Sequence, residues 1–262
     1  MGGRQCFIYD GVMSSQYGLW AGYVESSPNE NNAIQTPYSY NFSISPSTHM
    51  ARISSMQYEE TFSFQMEIIS DVPVSQEQER QIFRWLIDSP KFKRLEIFNY
   101  GNCVGYFERI HYNCILTDPK RIFGNGGIVG WTVTVLSNAP YAWADSKSYT
   151  YAAPLTQFVH SNLSDEPNYT YPAVEIVIGG SGGAITISNT TTAESFTVSE
   201  TQAGETIRID QYRQVTASNT ENIYDKCKGK LRLIQGKNQF SVTGDVSRLT
   251  FYYADARKVG YN

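Results

Sequence analysis

The chain has 262 residues, enough for one large domain or for two small ones that each bury a core. Charged residues reach only 18%, against about 25% in typical soluble domains, while aromatics make up 14% with 19 tyrosines, a balance that leans towards β-strands. The net charge of −4, without any Lys/Arg cluster, argues against a protein that grips phosphates, and no stretch approaches the roughly 20 apolar residues of a membrane span.

The opening residues, Met1-Gly-Gly-Arg-Gln-Cys-Phe-Ile, hold no apolar run long enough for a signal peptide, so a protein made in a cytoplasm is expected. The sequons at Asn41, Asn162, Asn168 and Asn189 therefore carry little weight. Tyr38, Tyr40, Phe42 and Ile44 alternate with polar residues, as do Tyr58, Phe62, Phe64, Met66 and Ile68, the period-two pattern of half-buried strands. Ser75 and Gln78 form a capping box, Glu77 and Glu79 suit the positive end of a helix dipole, and Ile82, Trp85 and Leu86 share a face. Pro90 ends this pattern, so one amphipathic helix is predicted over 75–88.

Residues 104–115 and 128–136 read as strands, joined by turn chemistry at Asp118-Pro119 and Gly124-Asn-Gly-Gly127. A first domain is expected over 1–143. From 144 to 171 the chain turns rich in Ser, Thr, Asn, Tyr and Pro, which predicts a connector with a short strand near Leu155–Val159. The second domain, 172–262, has seven short alternating segments, beginning at Val174, Ala184, Ser195, Thr206, Leu231, Gln239 and Leu249, a spacing that suits an antiparallel sandwich.

No positive sign of catalysis appears. Gly179-Gly-Ser-Gly-Gly183 lacks the Lys-Ser/Thr and helix of a phosphate loop, and it is followed by a strand, so a hairpin turn is expected. His49, His111 and His160 are far apart and share no ligand spacing; His111 is expected at a surface or interface. Cys6, Cys103, Cys114 and Cys227 form no Cys-x-x-Cys pair, and isolated buried thiols are favoured over a Cys103–Cys114 link. Glu60 and Glu67 fall on opposite strand faces, unlike a glycosidase pair. No metal and no cofactor is expected. Tyr169, Tyr171, Tyr212 and Tyr224 offer rings for stacking on sugars or for packing at partner contacts.

The order of three segments resembles the distal tail proteins of siphophages, over nearly the whole chain. They are Phe7-Ile-Tyr-Asp-Gly11 with Tyr17-Gly-Leu19; Ile82-Phe-Arg-Trp-Leu86 with Leu95-Glu-Ile-Phe and Gly105-Tyr-Phe-Glu-Arg109; and Pro172-Ala-Val-Glu-Ile through Gly204-Glu-Thr-Ile-Arg-Ile to Gly236-Lys-Asn238. The chain departs from the family pattern at Asn31-Asn32, at Ile44-Ser-Pro-Ser-Thr-His and at Asp165-Glu-Pro-Asn168. The resemblance implies a mainly β protein, with an N-terminal β-sandwich or split-barrel domain like tail-tube proteins, one α-helix, and a C-terminal galectin-like jelly roll. It also implies a non-enzymatic hub at the virion tail tip, a hexameric ring joining the tail tube protein to a tail-associated tip protein, with DNA passing through. Receptor-binding proteins or host glycans are further expected partners. Within that reading the segment 25–36 and the strand with Tyr38, Tyr40 and Phe42 are the candidate arm to a neighbouring subunit. A carbohydrate-binding module using Tyr169, Tyr171, Tyr212 and Tyr224 is the competing expectation.

Overall fold

A computed structural model describes residues 5–23, 38–44, 51–58, 63–87, 89–99, 109–124 and 126–258. The chain is mainly β and divides into two compact units, built on Met1–Ala144 and on Asp145–Arg257.

In the first unit the strands are β1 (Gln5–Tyr9), β2 (Val12–Met13), β3 (Leu19–Tyr23), β4 (Tyr38–Ile44), β5 (Ala51–Tyr58) and β6 (Ser63–Val74). The helix α1 (Gln76–Leu86) follows, then β7 (Lys93–Asn99), β8 (Ile110–Gly124), β9 (Gly127–Ser137) and β10 (Ala142–Ala144). Antiparallel pairing runs β1-β3-β6-β9-β8 and returns through β7 to β1, which closes six strands into a barrel. Closure gives each of the six a neighbour on both sides and removes exposed sheet edges. Period-two residues fill the interior: Phe7 and Tyr9, Met66 and Ile68, Cys114 and Leu116, Val133 and Val135. The alternation expected from Tyr58 to Ile68 therefore belongs to two strands. Phe64, Met66 and Ile68 lie in the barrel, and Tyr58 ends the separate strand β5.

The helix forms where the capping box predicts it. Ser75 accepts from the Gln78 N–H at 3.3 Å, and Gln78 Oε1 accepts from the Ser75 N–H at 3.0 Å. Its apolar face buries Ile82 and Leu86 on the barrel. Two polar contacts fix its position. Trp85 Nε1 donates to the Tyr9 carbonyl at 2.9 Å, with the indole stacked between Phe7 and Tyr17. Glu79 is buried and accepts from Arg121 at 2.7 and 3.0 Å and from Trp131 Nε1 at 3.2 Å. The Arg121 pairing holds the Glu79 carboxyl below its usual range, against the upward pull of burial.

The second unit contains β11 (Lys147–Ala152), β12 (Gln157–Asn162), β13 (Ala173–Ile178), β14 (Ile185–Asn189), β15 (Glu194–Val198) and β16 (Thr206–Ile209). It continues with β17 (Val215–Ala217), β18 (Cys227–Gly229), β19 (Gly236–Thr243) and β20 (Val246–Tyr253). They form two five-stranded antiparallel sheets, β11-β20-β13-β16-β17 and β12-β19-β14-β15-β18, around one core that includes Ile176, Ile187, Phe196, Leu249 and Phe251.

Two expectations change here. The segment 144–171 is not a plain connector, because β11 and β12 each lie at the edge of one sheet of the second unit. Their inward residues are Tyr149, Tyr151, Phe158 and His160, whose rings pack on the core although tyrosine and histidine count as polar in a periodicity reading. Leu231–Ile234 is also not a strand and makes a single bridge, Thr170 to Leu233. Buried Asn238 takes its place in the hydrogen bonding: the carboxamide accepts from the Ile234 N–H at 2.9 Å and donates to the carbonyls of Ile234 and Gly236 at 2.8 and 3.1 Å. Asn189 donates to the same carboxamide oxygen at 3.0 Å and to the Arg232 carbonyl at 2.9 Å.

Two substitutions test these anchors by chemical unfolding. Glu79→Ala leaves the buried Trp131 N–H unpaired and should cost about 1–3 kcal/mol, more than Glu79→Gln, which retains an acceptor. Asn238→Leu strands the Ile234 N–H and the Asn189 amide and should cost about 2–4 kcal/mol; an unchanged midpoint would show that the loop holds without it.

Candidate assembly and binding surfaces

Among the described residues β4 and β5 pair only with each other, as a two-stranded ribbon outside the barrel. Phe42 stands opposite Ile53 and Ile44 opposite Ala51, after a register shift between Asn41 and Phe42. One face is therefore apolar, with Tyr40, Phe42, Ile44 and Ile53 exposed at 42%, 62%, 68% and 61%. Rings of Tyr40 and Phe42 sit 6.2 Å apart on it. The other face is polar. Asn41 Nδ2 donates to Ser55 Oγ at 3.0 Å, and Ser54 Oγ donates to the Asn41 carbonyl at 2.9 Å. Tyr38 opens the same ribbon, opposite Tyr58, while the segment 25–36 lies outside the described residues. A lone two-stranded ribbon is marginal in water, and a stripe of large apolar side chains on one marks a contact surface.

The four tyrosines of the second unit separate into two kinds. The Arg232 guanidinium lies over the Tyr169 ring at 3.3 Å, and that of Arg213 over Tyr171 at 4.0 Å. Glu194 pairs with Arg232 and, at 3.6 Å, with Lys230, which ties the cation in place. These two faces are occupied by the chain's own cations. Tyr212 and Tyr224 are open, at 76% and 69% exposed.

The glycine-rich segment is not a hairpin turn, because β13 and β14, which it links, belong to different sheets. It wraps an anion supplied by the chain itself. Asp245 Oδ2 accepts from the Ser181 N–H at 2.6 Å and from Ser181 Oγ at 2.5 Å, which holds its carboxyl below the usual range. A Cβ on Gly179 would overlap the Asp245 carboxylate, so glycine is required by close approach. Any phosphate would find this cradle already filled.

His49 lies outside the described residues, and His111, expected at a surface or interface, is buried on β8 opposite Trp143. His160 is buried between two phenols: Nδ1 is 2.8 Å from the Tyr151 hydroxyl and Nε2 is 2.8 Å from that of Tyr253. Burial pushes the imidazole down to about 4, against a smaller upward pull from the Asp255 carboxylate. Cys6 and Cys114 are buried, Cys114 as a free thiol, Cys227 is half-buried and free, and Cys103 lies outside the described residues. Burial pushes the Cys114 thiol up to about 12. Among the described residues no group of three or more His, Cys, Asp or Glu is placed to hold a metal, and no helix is long and apolar enough to cross a membrane.

Residues 4–139 match the family described as phage tail protein N-terminal domain, and residues 141–253 match phage tail C-terminal domain. This chain belongs to that family of phage tail proteins. No curated protein matches it. Among solved structures, the crystal structure of the Dit protein of phage SPP1, described as a paradigm of hub adsorption apparatus in phages infecting Gram-positive hosts, aligns with a TM-score of 0.65. The alignment covers 95% of this chain and 98% of that one at 11% identity, so what the two share is the fold. A chain of the phage P2 baseplate in its activated conformation with Ca aligns at a TM-score of 0.47 and 11% identity, covering 97% of this chain and 98% of the other.

In this phage tail protein the buried imidazole gives the second unit an acid-labile point. The folded value of about 4 lies below the ordinary 6.5, so between these pH values the unfolded chain binds more protons. Stability should fall as pH drops from about 6.5 towards 4, and this group adds no further loss below that. An NMR titration of the His160 ring should show a midpoint near 4; a midpoint near 6.5 would refute the burial argument.

Proposed function

We propose that the chain is a structural, non-catalytic hub subunit of a long-tailed phage, a distal tail protein at the tip of the virion tail. Copies close a ring, six in number, that joins the tail tube protein to a tail-associated tip protein and leaves a channel for DNA. The second unit, read as the galectin-like jelly roll, faces the periphery and offers docking surface to other tail proteins. Family membership in both halves and the fold shared with the Dit protein support this reading.

The observation that carries it is the ribbon of β4 and β5. In the single chain its apolar face is uncovered, and the barrel is closed, so it cannot be absorbed by extending the barrel sheet. A neighbouring copy would cover it, and contacts between unlike surfaces related by a closing rotation give rings.

Open rings at Tyr212 and Tyr224 favour the second reading, a module that binds host surface glycans. The covered rings of Tyr169 and Tyr171 weigh against the wider platform expected from sequence.

Light scattering with negative-stain imaging tests the hub. The expected particle has a mass near six times 29.5 kDa and a central hole. Phe42→Ser and Ile44→Ser should abolish it while changing monomer stability by only about 0.5 kcal/mol, since both side chains are exposed. A chain that remains monomeric, with or without tube and tip proteins, and binds cell-wall glycan through Tyr212 and Tyr224 would replace the hub with the glycan module.

A further inference from the structure

Val174, Ile176 and Ile178 of β13 point into the core, so Ala173 and Glu175 point outward from the middle strand of their sheet. On that outer face Tyr252 of β20 stands opposite Ala173, and Arg208 of β16 stands opposite Glu175. With Asp210 and Gln214 from the β16–β17 turn, these residues line a recess of about 270 Å³. It spans two strand spacings, roughly 10 Å. The small side chain of Ala173 leaves its floor open, and the Tyr252 ring, 41% exposed, forms one wall.

The polar groups of the recess are held in place by the chain itself. Glu175 Oε2 accepts from Arg208 Nε at 3.0 Å, and Oε1 accepts from Arg248 Nη2 at 3.3 Å. Asp210 Oδ1 accepts from the N–H groups of Tyr212 and Gln214, both at 2.8 Å, which fixes the turn. The Arg213 guanidinium over the Tyr171 ring anchors the same turn from its other side chain.

We propose that this recess binds one neutral sugar ring of a cell-surface glycan. The proposal rests on the glycan reading of the second unit and places its site at Tyr252, away from Tyr224. Charge decides the class of ligand. An anion would meet the carboxylates of Glu175 and Asp210, and a cation would meet Arg208. A wholly apolar ligand would desolvate the Glu175–Arg208 pair without replacing its water. A hydroxyl both donates and accepts, so two adjacent hydroxyls match a carboxylate beside a guanidinium. They donate to Glu175 and accept from the terminal nitrogens of Arg208, which have no partner among the described residues. The apolar C–H face of the sugar then lies on the Tyr252 ring.

The test is saturation-transfer NMR on the full-length protein with glucose, galactose and N-acetylglucosamine, and with glucuronic acid and glucosamine as charged counterparts. A neutral sugar should give the strongest signal. Tyr252→Ala, which removes the wall, and Ala173→Leu, which fills the floor, should each weaken its binding about tenfold. Arg208→Gln should weaken it as well, and at a side chain 69% exposed it leaves the fold intact if either of the other two does not. Tyr224→Ala should change nothing. Binding lost in Tyr224→Ala but kept in the recess variants would overturn this site and leave the glycan reading standing elsewhere. A preference for glucuronic acid or glucosamine would overturn the neutral class. No binding of any of the five sugars would remove the site and the glycan reading together.

Discussion

Barrel closure is the constraint on which the first unit depends. Once β7 bridges β1 and β8, the six strands have neighbours all round and their inward residues have a sealed core. Backbone groups that would invite a neighbour at a sheet edge are then satisfied within the unit. The ribbon stands apart from this closed barrel. The same closure lets residues 70–73 bulge without undoing the sheet, because pairing resumes at Val74.

Polar side chains do the fastening in both units. Glu79 and Trp85 hold the helix against the barrel through one carboxylate and one indole. Asn238 and Asn189 hold residues 232–234, and Asp245 holds the glycine-rich crossing between the two sheets. Each takes the role that a ladder hydrogen bond would otherwise have, at a place where the chain leaves regular structure. The Asp245 cradle also shows why glycine spacing alone misleads about anions: its donors are committed to a carboxylate of the same chain.

Local signals were legible where chemistry is local. The capping box of Ser75 and Gln78 starts the helix where spacing alone places it, and alternation marks β6, β9, β13 and β20. Signals failed where a residue's burial is decided by a distant partner. Tyr149, Tyr151 and His160 read as connector because their polar atoms look solvated, yet the phenols and imidazole satisfy one another inside the sandwich. His111, which reads as a surface or interface residue, is buried in the single chain. Leu231–Ile234 alternates like a strand, but Asn238 already occupies the groups of Ile234 that a ladder would need.

By itself the sequence determined a mainly β chain with one capped helix, two halves of different pattern, and apolar alternation at Tyr40, Phe42 and Ile44, because period and capping act over a few residues. Tertiary structure decided that this alternation lies on a ribbon uncovered by its own barrel, that Glu79 is an anchor and more than a dipole complement, and that Tyr169 and Tyr171 are shielded while Tyr212 and Tyr224 are open. Those outcomes depend on partners tens of residues away along the chain, on Arg121 and Trp131 for Glu79 and on Arg232 and Arg213 for the tyrosines. No periodicity in a single segment encodes which distant cation or ring will meet it; only the packing of the strands does.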